Sequence, residues 1–230
     1  MSVNGIIKFF QDGGFFLYPL IIIFIVGVAI SVERWIYLTK ETIKNRNLWD
    51  DVAPHLGAGN FKQAISLANN STAQIGTVLK YGLARLSTAR RRDDIQQAME
   101  ESLLEIVPRL EKRTHYLSSL ANIGMLVGLL GTIVALIKAF ATVSQANPAE
   151  KAALLAAAIS EAMNNTAMGL GVAITLLLSH MFLEAKTTSL IDSLEIAVVK
   201  FLNSITERYS EPAPAPGPAL APRAPAPRPA

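Results

Sequence analysis

Two threonines within long apolar stretches are the residues best suited to handling an ion. Thr132 and Thr166 can each bond a carbonyl of their own helix, or offer the hydroxyl to water or to a partner's carboxylate in a polar path. Asn165 adjoins Thr166, and a buried amide needs hydrogen-bond partners, which favours the polar path. The residues alone leave both roles open for Thr132 and Thr166, which are candidates for an ion pathway, and Asn165 is a further candidate.

Glu161 stands immediately before the third apolar stretch. An acid at this position either favours the start of a helix, through the helix dipole, or places a carboxylate at the mouth of an ion path. The sequence leaves both interpretations open, and Glu161 is the candidate residue for the mouth.

Other chemistries have no residues to support them. The chain has no cysteine, its histidines (His55, His115 and His180) lie far apart, and no hydrolase triad, phosphate loop or metal-ligand spacing occurs. The basic run 90–92 is followed at once by two aspartates, which indicates a solvated patch and no nucleic-acid site. We therefore expect no enzymatic activity, no metal and no cofactor.

Three stretches of the chain contain no Asp, Glu, Lys or Arg: 13–32, 116–137 and 162–183. The second and third contain Thr132, Asn165 and Thr166 and must position them. Each has about the 20 residues that a membrane helix needs. The whole chain is 51% hydrophobic and 17% charged, against roughly 25% charged residues in soluble domains. We predict an all-α membrane protein with three transmembrane helices. A signal peptide is disfavoured for the first stretch, because its apolar run is too long and no small-residue cleavage site follows.

The absence of acids from these stretches is informative. Apart from His180, near the inner end of the third stretch, they contain no ionisable group of the kind that carries protons. A protein that moves protons by itself usually has such a group inside a span. If this chain conducts protons, the titrating group must come from a partner.

The distribution of positive charge predicts the orientation. Of the 21 Lys and Arg residues, 18 fall on the side of the two long polar segments, and only Lys8, Lys138 and Lys151 fall on the other. Because Lys and Arg accumulate in cytoplasmic segments, the amino terminus is expected outside and the carboxyl terminus inside.

Apolar residues recur at helical spacing before the second span and after the third, so we expect both spans to extend as long helices into the cytoplasm, with Pro108 a candidate kink. Further breaks are expected at Pro54 and Gly57–Asn60. The Pro/Ala-rich tail is expected to be disordered, or else to dock a cytoplasmic partner. The predicted segments are an interfacial amphipathic helix 1–12, transmembrane helices 13–38, 116–140 and 161–185, a cytoplasmic helical region 39–115, a periplasmic loop 141–160, a cytoplasmic helix 186–208 and the tail 209–230.

Small residues on the second and third spans favour close helix packing, because they let two backbones approach. The predicted packing residues are Gly124, Gly128, Gly131 and Gly169. At the inner end of the first span, Glu33 and Arg34 next to aromatic residues are typical of a membrane-interface anchor.

Several motifs together resemble the MotA, TolQ and ExbB family of proton-channel and stator subunits, and the ExbB and TolQ branch matches better. The second and third spans carry the most specific motifs, and the resemblance covers residues 1–208. The matching residues are Gly13-Gly14, Pro19 and Glu33-Arg34 in the first span, 76–83 in the cytoplasmic segment, 128–132 and 139–140 in the second span, and 159–162, 166–170 and 172–174 in the third.

The resemblance implies a ring, typically of five copies, around two copies of a single-span partner of the ExbD, TolR or MotB kind. The partner would supply the membrane aspartate that these spans lack. Thr132 and Thr166 would line the path near that aspartate, and Glu161 would be functionally important. The transported ion would be H⁺, and its flow would drive rotation of the partner against the ring in a bacterial inner membrane.

Thr175 departs from the family, which usually has proline at this position. Its hydroxyl makes Thr175 a further candidate for the pathway. We expect Thr175 and Thr166, nine residues apart, to lie about a quarter turn from each other.

The predicted function is a proton-channel or stator subunit that converts proton motive force into mechanical work in the cell envelope, for outer-membrane processes. The alternatives are the stator of a gliding or flagellar-type motor, and a non-conducting membrane scaffold. A self-contained transporter is disfavoured, because the spans lack acidic residues and an inverted repeat.

Overall fold

The computed structural model describes residues 14–86 and 92–209, with side chains up to residue 206. The predicted interfacial helix 1–12 and all but the first residue of the predicted tail 209–230 lie outside the described residues. So do two of the three arginines of the basic run 90–92.

The described residues form six α-helices: α1 (Leu17–Gly57), α2 (Phe61–Asn70), α3 (Gln74–Arg85), α4 (Arg92–Glu111), α5 (Thr114–Gln145) and α6 (Lys151–Tyr209). Three helical stretches are long and apolar enough to cross a membrane, within α1, within α4 with α5, and within α6. The chain is therefore an all-α, multi-pass membrane protein, and the predicted fold class is confirmed at this level.

The first long helix continues well beyond the predicted span 13–38 and ends at Gly57. Pro54 lies inside this helix, so the break predicted at Pro54 does not occur. The helix ends three residues later, at the start of the second predicted break, Gly57–Asn60. The amide of Ala58 donates to the Pro54 carbonyl at 2.9 Å, and Gly59 then adopts a left-handed φ of 70°. A glycine in this conformation just after a helix is a common stop signal.

The second span and its extension are two helices and not the single long helix that was expected. α4 ends at Glu111, α5 begins at Thr114, and Arg113 between them has a left-handed φ of 70°. Such a φ is uncommon for any residue other than glycine, so tertiary contacts must hold the turn in place. Those contacts come from α1 and are described below.

The connection between the second and third spans is shorter than the predicted loop 141–160. α5 continues to Gln145, and α6 begins at Lys151. The alanine-rich segment 152–158 has high helix propensity, whereas Asn147-Pro148 disfavours helix, so only 146–150 remain outside both helices. α6 then runs for 59 residues without a break.

The core lies where α1 and α6 extend beyond the apolar stretches and meet α2, α3 and α4. Its fully buried side chains include Leu79, Met99 and Phe201. A β-carbon on Gly82 would lie 2.6 Å from the Met99 sulfur and 3.0 Å from the ring of Phe201, so a side chain at this position would force Met99 and Phe201 to shift. Asn45 of α1 accepts a hydrogen bond from the Ile75 amide at 3.0 Å and so caps the start of α3.

Candidate ion pathway

The second and third spans touch through their backbones. A β-carbon on Gly128 would lie 2.8 Å from the Gly169 α-carbon and 2.9 Å from the Asn165 carbonyl oxygen. At Gly124 it would lie 3.1 Å from a methyl of Val172. Since a side chain on Gly128 or Gly169 would separate the helices, these glycines set the distance between α5 and α6.

Asn165 is buried between α5 and α6 and does not line the open groove that contains Thr132 and Thr166. It is fully buried, and a β-carbon on Gly131 would lie 3.0 Å from its amide nitrogen and 3.0 Å from the β-carbon of Phe16. Neither polar atom of the Asn165 side chain makes a hydrogen bond with the described residues. A buried, unsatisfied amide costs about 1–3 kcal/mol, so Asn165 is a point of low stability between the spans.

Thr132 and Thr166 come together on the opposite side of this contact. They line a single open groove of about 620 Å³ between α5 and α6, and both are half-buried. The Thr132 hydroxyl donates to the Leu129 carbonyl at 2.6 Å, which leaves its oxygen able to accept a hydrogen bond from the groove. The other lining residues are all apolar: Leu136, Ile159, Ala162, Met163, Ala167 and Leu170.

Glu161 does not line this groove. It lies five residues before Thr166, which is about 140° around the helix, and it faces the residues that precede α1. Its carboxylate lies directly against Gly14, whose φ of 66° is left-handed, and a β-carbon there would lie 2.8 Å from the carboxyl carbon of Glu161. Glu161 and Lys138 share a separate pocket of about 520 Å³.

Thr175 lies on the far side of α6 from the groove. Nine residues at about 100° each amount to two and a half turns, so the offset from Thr166 is half a turn, and the expected quarter turn was wrong. The Thr175 hydroxyl is exposed and donates to the Gly171 carbonyl at 2.8 Å. The Thr175 side chain therefore hydrogen-bonds within its own helix and does not reach the groove.

Glu33 and Arg34 hold the turn between α4 and α5. Arg34 is only 4% exposed and donates to the Leu110 carbonyl, at the end of α4. Glu33 forms an ion pair with Arg113, the residue with the left-handed φ. Carbonyls in the last turn of a helix have no hydrogen-bond donor within the helix. The Arg34 guanidinium of α1 supplies a donor to one of these carbonyls, and its positive charge suits the negative end of the helix dipole. The predicted membrane-interface anchor thus contacts protein.

Sequence reasoning missed a second polar pocket, at the end of the spans next to α4. It has a volume of about 220 Å³ and is lined by Glu111, Thr114, His115, His180, Glu184, Thr187 and Thr188. Three helices contribute to it, so no local motif marks it. The available signal was His180, the one ionisable residue in the third charge-free stretch.

Comparison with known proteins gives one family. The sequence pattern of the MotA/TolQ/ExbB proton channel family matches residues 70–196. An ExbB-like biopolymer transport protein of Synechocystis sp. is 28% identical over 173 residues, which cover 74% of this chain and 81% of the relative. An ExbB homolog of Methanothermobacter thermautotrophicus is 23% identical over 197 residues, which cover 83% of this chain and 67% of the relative.

Proposed function

Because the chain belongs to the MotA/TolQ/ExbB proton channel family, we propose that it is the ring subunit of a proton-driven motor that transmits energy from the inner membrane to outer-membrane processes. The observation that carries the proposal is the groove in which Thr132 and Thr166 meet from two helices. No acidic or basic side chain lines that groove, so a proton crossing it requires a titrating group from another chain.

A single-span partner with a membrane aspartate supplies that group, and two copies of it stand inside a ring of five copies of this chain. Five copies place five groove faces around the partner. The two threonine hydroxyls of each groove then hydrogen-bond the aspartate carboxylate or the water that hydrates it. Their apolar neighbours exclude other water and exclude the carboxylate when it is charged.

This arrangement links protonation to movement. A charged aspartate is held at a threonine pair, because burying an unpaired carboxylate among apolar side chains is very costly. Protonation removes the charge and lets the partner pass the apolar surface to the next subunit. One proton moving through 100 mV releases about 2.3 kcal/mol, several times the thermal energy available to reverse a step.

The proposal places the chain in a bacterial inner membrane with its carboxyl terminus in the cytoplasm. It requires no cofactor and no enzymatic reaction, since protons moving down their gradient supply the energy and are released unchanged on the other side. The relatives named for ExbB favour energy transfer across the envelope over a motility stator.

The test compares two identical substitutions on one helix. Thr166→Val removes a hydroxyl from the groove, whereas Thr175→Val removes one from the opposite face of α6. Losing a hydrogen bond to a charged group costs about 1.5–3 kcal/mol, so we expect proton flux to fall about 10-fold or more in Thr166→Val. Thr175→Val should conduct like the wild type. The measurement is dye-monitored proton flux into liposomes that contain the complex, purified through a tag on this chain.

Equal flux in both variants would remove the role given to Thr166. The scaffold alternative has a separate test, which is neutralisation of the membrane aspartate in the co-purifying partner. Envelope function that survives this change would mean that the complex does not work by conduction.

A further inference from the structure

The polar pocket beside α4 lies on the same helix faces as the threonine groove. Glu184 follows Thr166 by eighteen residues on α6, and Thr114 precedes Thr132 by eighteen residues on α5. Eighteen residues make about five full turns, so each pair shares a face and is roughly 27 Å apart along the helix. The threonine pair of the groove and the polar pocket thus lie on one surface, which is apolar at Leu177 between them.

The pocket is lined by titratable side chains from three helices. The titratable side chains that face it are Glu111 from α4, His115 from α5, and His180 and Glu184 from α6. The His180 Nδ1 lies 3.5 Å from Glu184 Oε2. The His180 side chain is 20% exposed and that of Glu184 is 67% exposed, so the pair runs from the pocket interior to solvent.

Thr114 indicates that the pocket holds water. The residue is only 5% exposed, and its hydroxyl makes no hydrogen bond with the described residues. A buried hydroxyl without a partner is costly, and the pocket that it lines, at about 220 Å³, has room for several water molecules. A hydrated pocket gives protons a way to reach the imidazole.

We propose that this pocket is the site where protons leave the pathway on the inner side, with His180 taking up each proton and Glu184 passing it to solvent. The inference rests on the proposed function and adds a second proton-exchanging site to it, on this chain itself.

The proton transfer balances without any further reactant. With the Nδ1 hydrogen of neutral His180 directed at Glu184, Nε2 accepts the excess proton that arrives from the pathway through the pocket water, and the ring becomes an imidazolium while the water stays neutral. The Nδ1 proton then passes to the Glu184 carboxylate, which releases it to bulk water. A return of the ring to its first tautomer, by exchange with pocket water, completes the cycle.

The first test measures wild-type flux as the inner pH is lowered from 8 to 5 with the total proton motive force held constant by a potassium diffusion potential. An imidazole that is already protonated from the inner side cannot accept the next proton from the pathway. We therefore expect flux to fall as the inner pH falls. Flux independent of inner pH would overturn the proposal.

The second test uses substitutions. His180→Gln keeps a polar side chain that cannot titrate and should lower flux about 10-fold or more, the usual size of a lost proton-transfer group. His55→Gln, in the last turn of α1 and outside the pocket, is the matched control and should leave flux unchanged. Size-exclusion chromatography checks that each complex assembles.

Chemical rescue separates proton transfer from a structural role. Imidazole inside the liposomes should restore much of the flux to His180→Ala, because it can occupy the vacated space and carry the proton. Loss of flux without rescue would make His180 a structural residue and overturn the proposal. Wild-type flux in His180→Gln would also overturn it, while leaving the proposed function intact. A wild-type complex that conducts no protons would instead refute the proposed function.

Discussion

The same hydroxyl has different roles at two positions of α6, and the face of the helix determines which. Thr166 lines the groove, where nothing charged is present. Thr175 bonds the carbonyl of Gly171 and is exposed on the other side. Residue type alone made both candidates for the pathway, whereas the packing of α5 on α6 distinguishes them.

The glycine contact between the spans makes a prediction about stability. Gly128→Ala would place a β-carbon 2.8 Å from the Gly169 backbone, which no rotamer change can relieve. We expect a destabilisation of about 1–3 kcal/mol, the usual cost of overpacking. Gly171→Ala is the control, because its β-carbon would have no neighbour within 4 Å. The control should be neutral or up to about 1 kcal/mol more stable, through helix propensity.

Thermal unfolding of the purified complex in detergent measures both variants. The two midpoints should move apart, with Gly128→Ala the lower. If the two alanine variants unfolded at the same temperature, the close approach of α5 and α6 would not limit stability.

For single residues, the sequence predicted which ones take part in helix packing or are candidates for the pathway, but it did not always predict which residues they contact. The spacing of Gly124 and Gly128 indicated close packing without naming Gly169 as the residue opposite Gly128. Glu161 was a candidate for the mouth of the path, and the structure places it against Gly14, more than 140 residues earlier in the chain. Such long-range contacts depend on how α1 packs on α6, and single-residue chemistry does not encode that packing.

Among the elements, the turn between α4 and α5 is the most dependent on distant residues. It has an arginine in a left-handed conformation, and both of its tertiary bonds come from neighbouring residues of α1. This turn joins a membrane helix to a helix of the polar region, so α1 determines how the two are oriented.

Arg34→Met should loosen that turn. The substitution keeps apolar bulk but removes the donor to Leu110, and an unsatisfied buried carbonyl costs about 1–3 kcal/mol. We expect faster cleavage by trypsin at Arg113 and a lower unfolding temperature. Arg46→Met removes an exposed arginine, 3.9 Å from Asp50, and should change neither quantity. Cleavage as slow as in the wild type would show that Arg34 does not hold the turn.

The three membrane-spanning helices were largely predictable, because a charge-free run of about 20 residues is long enough to cross a membrane. The residues at which the helices begin and end were not predictable. Helical periodicity continues across Lys112 and Arg113, so the sequence predicted one helix where tertiary bonds from α1 stabilise a break. The segment 151–158 was assigned to a loop because of its position between spans, although its alanine content favours helix.

For the whole molecule, the apolar lining of the threonine groove is exposed on the single chain. The lining of the threonine groove is apolar and open, with Met163 67% exposed and Leu170 44% exposed. In the proposed ring, these side chains face the partner helices and the neighbouring subunit.

The proposed assembly makes a prediction about mass. Native mass spectrometry of the complex should count five copies of the 24.8-kDa chain for two copies of a smaller single-span protein. The expected ratio follows from a ring of identical grooves around a central pair. A complex with one partner for each chain would contradict that arrangement, and so would the absence of any partner.

The continuity of α6 has a mechanical consequence. Unlike a proline, Thr175 has a backbone N–H that can join the ladder of helix hydrogen bonds, and the helix runs unbroken from Lys151 to Tyr209. Thr166 and Phe201 therefore lie on one stiff rod, roughly 52 Å apart. A tilt imposed in the membrane reaches the hydrophobic core around Phe201 with little loss to bending. In the proposed ring, α6 would thus transmit movement of its membrane-spanning part to the core around Phe201.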